Sequence, residues 1–437
     1  MKYVIIGAGP CGLAMAKALK EAKIGYDHIE ADDELGGNWL HGVYQTVYTD
    51  TCKDVMQFDD FPMPDKFPDF LSRENMLEYL NQYANAFQLK EQIKFGIKVI
   101  WAEAIESNLW KVYFDKGNAE IYNGVIICNG HHWDKNYPDL PGQFTGEYIH
   151  AKEYKGPFQL RNKKVLIIGS GNSAADIACE CARVAELSVL NFNDSPWIFP
   201  KSFMGIPLGR LKMKNSPEFL SPILIKLLLR ITFGKHSYYN LDAPKHKPFD
   251  KHPTVSEELP YYLKHGRITV KKGIGGISNK TVRFVDGSTY DFDLVVAATG
   301  YKLSFPFLPK ELIRTENKNL NCIGHCVYPD YKGLFFMGWQ QVRGGVGSLA
   351  SAFAQVIVDL IKIEEESGLP SGRILQEMNN KISSTSLYGS KEISSWMKRH
   401  NYKSMSKMAK KVKSKFIHNN IPTTETIPND SSSIKVF

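Results

Sequence analysis

Two short runs of consecutive apolar residues set the pattern of this chain. Tyr3 to Ile6 passes into the turn GAGPCG and then into an alanine-rich stretch of helical spacing. About 160 residues later Val165 to Ile168 leads in the same way into GSGNSA and a second alanine-rich helix. Strand runs that switch to helical periodicity at a glycine turn predict βαβ units on parallel sheets. A second strand over Tyr26 to Glu30 follows the first helix. Farther on, FDLVVAATGY over 292–301 has the pattern of a buried strand that returns the chain to the first unit. Residues 333–361 then read as strand, glycine loop and long helix. The expected fold class is α/β with two dinucleotide-binding, Rossmann-like domains and a helical C-terminal appendage. The first domain is discontinuous, over 1–150 and 288–370; the second spans 151–287 with an apolar helical insertion at about 205–245, and the tail spans 371–437.

The turns carry the chemistry. Gly7, Gly9 and Gly12 form GxGxxG, and Gly169 and Gly171 begin GxGxxA. In such a turn the first glycine reverses the chain, the second admits a pyrophosphate to the backbone, and the third small residue allows close helix–strand packing. The helix N-terminus then faces the phosphate charge. Glu30 ends the predicted second strand, eighteen residues after Gly12, where a carboxylate accepts a ribose hydroxyl. The first turn therefore reads as an FAD adenosine site, and two turns imply two nucleotide cofactors.

At 437 residues the chain exceeds one hydrophobic core, which agrees with two domains and appendages. Its seven cysteines have no framework spacing and suit a reducing compartment. Cys322, His325 and Cys326 fall short of the four ligands of a zinc site, so no metal is expected. The first strand begins at the N-terminus with no room for a leader, so a cytoplasmic protein is expected. The run PEFLSPILIKLLLRITF, 217–233, is too short and charged to span a bilayer; a lid, an interfacial helix and a buried helix stay open. Residues 391–417 carry the whole formal excess of +8 with apolar residues at mostly helical spacing, which indicates a basic amphipathic helix. Peripheral membrane contact, a protein partner or packing on its own enzyme are its options. Nucleic acid is not expected, because aromatic residues are few there. Residues 419–437 are polar and turn-rich, the composition of a disordered tail.

The stretch Phe144-Thr-Gly146-Glu-Tyr-Ile-His150-Ala-Lys-Glu-Tyr154-Lys155 fits FxGxxxHxxx(Y/F)(K/R), the pattern that identifies flavin-containing monooxygenases. The chain resembles that family also in GGNW (36–39), KDVMQFDDFPMP (53–64), CNGHH (128–132), HPTVSEELP (252–260) and ATGY (298–301), in the family's order and over roughly residues 1–365. The resemblance implies that a nicotinamide reduces FAD, that O2 then gives a C4a-hydroperoxyflavin, and that one oxygen atom passes to a nucleophilic small molecule. It places His150 and Tyr154 at the junction of the two domains. The candidate FAD and nicotinamide contacts are Gly7, Gly9, Pro10, Cys11, Gly12, Glu30, Gly37, Asn38, Trp39, Val99, Asn129, Gly130, Gly169, Gly171, Asn172, Ser173, Asn193, Asp194 and Gln340.

The chain departs from the family twice. Many members place an asparagine beside the flavin where this chain has Asp50, three residues before Lys53. Asp50 also satisfies the end of a Baeyer–Villiger pattern that starts at Gly37, Trp39 and Tyr44, although Gln45 and Thr46 break its middle. A carboxylate there can relay a proton, with Lys53 as its candidate cation. The second departure lies in LNFNDSPWIFPK, 190–201, where the arginine that holds the 2′-phosphate of NADPH is replaced by Asn193 or Asp194. A carboxylate accepts from a ribose diol and repels a phosphate, which favours NADH or dual use; Lys201 is the candidate substitute for the arginine.

Catalytic candidates are therefore Asp50, Lys53, His150 and Tyr154, with FAD and NADPH or NADH as cofactors. The expected reaction is oxygenation of a soft nitrogen or sulfur nucleophile by O2. A Baeyer–Villiger oxidation of a carbonyl compound is the alternative, with a flavin NAD(P)H oxidase or reductase behind it; a flavin disulfide reductase needs a CxxxxC or CxxC pair beside the flavin, which this chain does not have. Homodimerisation is left open.

Overall fold

The computed structural model describes residues 1–211, 221–313, 315–316, 319–320, 322–340, 345–378 and 402–418. Two five-stranded parallel sheets dominate it. The first contains β1 (Lys2–Ile6), β2 (Gly25–Ile29), β3 (Ile93–Lys94), β4 (Gly124–Ile127) and β10 (Leu334–Phe336), in the order β10-β4-β1-β2-β3. The second contains β5 (Glu147–His150), β6 (Lys164–Ile168), β7 (Leu187–Asn191), β8 (Thr269–Lys271) and β9 (Leu294–Ala297), in the order β5-β9-β6-β7-β8. Almost every residue of the central strands is buried, as expected where helices cover both faces.

The two sheets repeat one plan. The Gly7 amide donates to Ile29 O at 2.8 Å, and the Gly169 amide donates to Asn191 O at 2.9 Å. On the other side Cys128 N donates to Ile6 O, and Ala298 N donates to Ile168 O. Thus Cys128-Asn129-Gly130 and Ala298-Thr299-Gly300 are counterparts, each ending in a glycine at positive φ, 71° and 77°. Helix α1 (Pro10–Glu21) follows the first turn, and α3 (Asn172–Val184) follows the second.

Two strands lie across the expected domain boundaries. Residues 294–297 do not return to the first sheet; β9 pairs with β5 and β6. Strand β5, expected at the end of the first domain, is likewise an edge of the second sheet. The first sheet is completed by β10 instead, which pairs with β4. An apolar run reports burial on both faces but not the sheet that buries it.

Helix α2 (Arg73–Ala86), which packs into the core of the first unit, is started by a capping box, in which Ser72 Oγ accepts from Asn75 N and Asn75 Oδ1 from Ser72 N, both at 3.2 Å. The apolar segment forms α4 (Ser221–Phe233), and it is two-faced. Ile225 and Leu229 pack on Phe199 in a small cluster, whereas Ile223, Leu227 and Ile231 are more than half exposed.

Helix α5 (Val346–Ser367) lies against α1 and ends at Gly368, whose φ of 76° supplies the left-handed cap. After α6 (Ser371–Glu377), α7 (Tyr402–His418) packs on both α5 and α6. Met405, Ala409 and Val412 of α7 are buried in the core of the first unit. The basic helix is therefore part of the packing and not a detached appendage. Ile393, Trp396 and Met397, and the polar segment 419–437, lie outside the described residues. Among the described residues no helix is long and apolar enough to cross a membrane, and no group of His, Cys, Asp or Glu can hold a metal ion.

Candidate cofactor sites and the seam between them

At the first turn Gly7 has φ +105°, and a Cβ there would stand 2.6 Å from Cys128 O. Gly12 is as tightly enclosed, since a Cβ would meet Gly7 O at 1.9 Å. Gly9 differs: a Cβ would touch only Gly37 Cα, at 3.6 Å. The backbones at Gly9 and Gly37 thus lie close together, since a Cβ at Gly37 would stand 3.0 Å from Gly9 Cα, and the remaining side of Gly9 is open. Gly9 is also the N-cap of α1, with no side-chain cap and no acidic residue in the first turn, so the terminal amides are free for an anion. Pro10 at the first helical position has no amide to satisfy.

Glu30 is buried behind this turn. Its Oε2 accepts from Ala8 N at 2.5 Å and its Oε1 from Asp32 N at 3.0 Å. Burial raises its pKa, against the lowering effect of those amides. Val99 is buried among Ile6 and Ile29. Gly338 lies close to Cys11, whose thiol burial pushes up to about 12. His131 Nδ1 bonds Gly338 O at 2.9 Å, and Asn129 Nδ2 donates to Ser304 O at 3.1 Å. Three segments therefore converge on the turn at 7–12: 36–39, 128–131 and 338–340. Buried polar atoms on them, Asn38 Oδ1, His131 Nε2 and Gln340 Nε2, have no hydrogen-bond partner among the described residues. Trp39 packs against the same core. Open backbone, an uncapped helix end and unpaired buried polar atoms fit a nucleotide with a polar ring system.

The second turn has the same construction. Gly169 has φ +142°, with Ala298 O only 2.2 Å from where a Cβ would lie, while nothing lies within 4 Å of a Cβ at Gly171. Gly171 caps α3, again without a side chain. A cavity of about 420 Å³ opens over it, bordered by Gly169–Gly171, Phe192–Pro196 and Lys251. Asn193 and Asp194 line this cavity, but the residue in the place of Glu30, directly after the second strand, is Phe192. Asp194 is flanked by Lys251 Nζ at 3.4 Å and Lys245 Nζ at 4.0 Å.

Between the turns runs a polar seam that the sequence pattern did not reveal. Asn172, Asp176 and Glu180 form one stripe of α3 at intervals of four, and each meets the segment 44–50. Asn172 Nδ2 donates to Asp50, Tyr44 OH donates to Asp176 at 2.5 Å, and Thr46 Oγ1 donates to Glu180. Asn172 Oδ1 accepts from Val255 N at 2.8 Å, so its amide is engaged within the protein rather than turned to a cofactor. Ser173 is half-buried beside it. Burial and the charge of Asp176 push Asp50 up to about 7, and burial pushes Asp176 up to about 6.

Two expected cations are exchanged. Lys53 is not the partner of Asp50; its ammonium is held by the carbonyls of Pro64, Asp65 and Phe67 at 2.8–3.3 Å. Lys201 acts on Asp50 and Asp176 instead, and donates to Thr49 O at 3.2 Å. It does not line the cavity beside Asp194. The short helix Lys53–Met56 aims Lys53 into the loop 64–67, and the bend after the Ile198–Phe199 strand brings Lys201 to the seam.

Tyr154 is fully buried and donates to Glu180, with its ring 5.6 Å from that of Tyr44. His150 is fully buried as well. Its Nδ1 accepts from Lys152 N at 3.1 Å, which leaves Nε2–H to donate to Gly300 O at 2.9 Å. Burial lowers its pKa, against the Gly300 bond. His150 thus ties the connection between the sheets to Gly300, and Tyr154 ties it to α3.

Residues 1–424 match the family of FMO-like, flavin-binding monooxygenase-like proteins. Flavin-containing monooxygenase 5 of Rattus norvegicus is 31% identical over 346 residues, covering 72% of this chain and 65% of its own length. Dimethylaniline monooxygenase (N-oxide-forming) 2 of Oryctolagus cuniculus is 31% identical over 376 residues, 79% of this chain and 70% of that protein. The chain thus spans just under two thirds of the rat relative. Among solved structures, S-allyl-L-cysteine S-oxygenase from Allium sativum has a TM-score of 0.64 at 19% identity, covering 96% of this chain and 94% of that one. An open cyclohexanone monooxygenase has a TM-score of 0.66 at 17% identity, covering 96% and 98%. These two share the fold.

Proposed function

The chain belongs to the flavin-binding monooxygenase-like family, and from that premise we propose that it uses FAD, NADPH and O2 to oxygenate a soft nitrogen or sulfur atom of a small-molecule amine or sulfide. The observation that carries this reading is the pair of open, uncapped glycine turns of one design, joined by the seam at 44–50. Bound at the first turn, FAD would supply the redox chemistry: it accepts hydride from the nicotinamide and enables one atom of O2 to reach the substrate.

The protein's own part is to bind, orient and exclude water. The first amides of α1 hold the pyrophosphate and Glu30 accepts a ribose hydroxyl. Asn38, His131 and Gln340 offer their unpaired polar atoms to the ring system. Asp50 holds a proton at the seam near neutral pH, and His150 and Tyr154 position the Gly300 loop and α3 of the second unit without reacting. The carbonyl-oxidising alternative rested on Asp50. Its bond to Asn172 and its charge contact with Lys201 give that residue an account that needs no ketone.

Lys403, Lys407, Lys410 and Lys411 stay exposed on α7 while its apolar face is buried, so any peripheral membrane contact there would be electrostatic. The test is product analysis. With NADPH and O2 the yellow protein is expected to convert a tertiary amine or a thioether to its N- or S-oxide. Consumption of NADPH that yields hydrogen peroxide alone, or products only from ketones, would overturn the reading.

A further inference from the structure

We propose that Lys245 and Lys251 hold the 2′-phosphate of NADP(H), so that two lysines from a distant loop do the work of an arginine after β7. The inference rests on the reading of the second turn as the nicotinamide site. With the pyrophosphate at the end of α3, the adenosine ribose of a dinucleotide lies beyond the end of β7. That place is the rim of the 420 Å³ cavity, where Phe192, Asn193, Asp194 and Lys251 meet.

Three observations there select for phosphate. First, Phe192 stands where the first unit has Glu30, so the position that accepts a ribose diol carries no acceptor. Second, the carboxylate of Asp194 is opposed by two ammonium groups, Lys251 at 3.4 Å and Lys245 at 4.0 Å, which leaves the rim one positive charge in excess. Third, both lysines are largely exposed and Asp194 is nearly half exposed, so these ion pairs are weak and readily exchanged for a dianionic phosphate. A lysine serves as a point charge for phosphate and needs no fixed fork, which suits an exposed pair on a loop.

The sequence offered no sign of this arrangement, because the lysines lie more than fifty residues beyond the turn. Asp194 alone argued for NADH; with its two lysines it argues for NADPH.

The experiment is isothermal titration of the full flavin-loaded chain with NADP⁺ and with NAD⁺ at one ionic strength. The parent is expected to bind NADP⁺ roughly tenfold tighter or more. In the Lys245→Ala/Lys251→Ala double variant that preference should vanish through weaker NADP⁺ binding alone, and Lys251→Arg should keep it. Equal affinity of the parent for both nucleotides, or a preference that survives the double variant, overturns the assignment of the lysines while leaving the second turn as a nucleotide site. Failure of the flavin-loaded parent to bind either nucleotide overturns that reading of the turn, and the inference with it.

Discussion

At the first glycine turn a carboxylate, Glu30, follows the second strand and accepts the Ala8 amide, whereas at the second turn the same place is taken by Phe192, and Asp194 arrives two positions later between two lysines. The strands, the backbone bonds at Gly7 and Gly169, and the uncapped helix ends are otherwise alike. In the proposed reading the shared part binds a pyrophosphate, which every dinucleotide has, and the part that differs faces the adenosine ribose, where one dinucleotide differs from another. On that reading one backbone design serves two cofactors, and a few side chains at the strand end sort them.

The strongest way to break this comparison is to fill each turn separately. At Gly9 and Gly171 an added Cβ meets little protein, so valine there should leave the fold intact and occupy only the space of the ligand. Gly9→Val should emerge folded and colourless. Gly171→Val should stay yellow while losing roughly a hundredfold in nicotinamide affinity, since several charge-assisted amide bonds are lost. Absorbance spectra and nucleotide titration check both; loss of flavin from both variants would mean that the turns are not independent. Gly12→Ala is the control for folding, because its methyl would collide with Gly7 O.

A second prediction separates the units by stability. Deleting residues 402–437 removes Met405, Ala409 and Val412 from the core of the first unit and uncovers the face of α5 beneath them. Each fully buried methionine or valine contributes about 1.5–3 kcal/mol, so thermal unfolding should shift down by several degrees, with flavin released first. An unchanged melting curve followed by flavin fluorescence would show that α7 contributes nothing to the first unit.

The side chains that sort the cofactors give a smaller effect. Glu30→Gln should weaken FAD by roughly tenfold, and Phe192→Glu should move nicotinamide preference toward NADH by a similar factor, each being one charged acceptor. Kd values measured for both cofactors in both variants decide the matter. A Phe192→Glu variant with unaltered preference would show that the two strand ends are not equivalent.

The smallest effect lies at the seam. Asp50 and Asp176 are raised from 3.8 to about 7 and about 6, so the folded chain takes up protons more readily than the unfolded one. Their contribution to stability is full below about pH 4 and is lost as pH rises through about 6 to 7. Asp50→Asn removes one titration while keeping an acceptor for Asn172. The fall in Tm between about pH 5 and about pH 8 should therefore be shallower in the variant. Superimposable profiles would mean that Asp50 does not titrate in the seam.

Much of this protein was determined by local sequence. An apolar run, a glycine turn and an alanine-rich helix make a βαβ start wherever they occur, because the constraints on Gly7, Gly9 and Gly12 act within one turn of chain. The class of fold, both turns and Glu30 were legible for that reason, whereas the segment containing His150 and Tyr154 was legible only through its resemblance to the family's pattern. Tertiary structure alone decided which sheet receives residues 294–297, which lysine faces Asp50, and which cations surround Asp194. The stripe of Asn172, Asp176 and Glu180 carries its helical spacing openly, yet nothing in that spacing says that Tyr44, Thr46 and Asp50 lie opposite. The strand pattern is likewise silent on its partner, and a lysine on a loop carries no periodicity. Side-chain charge acts through space over a few ångströms, and positions that meet in space, such as Lys251 with Asp194 and Lys201 with Thr49, stand far apart in this chain, so only the folded arrangement could pair them.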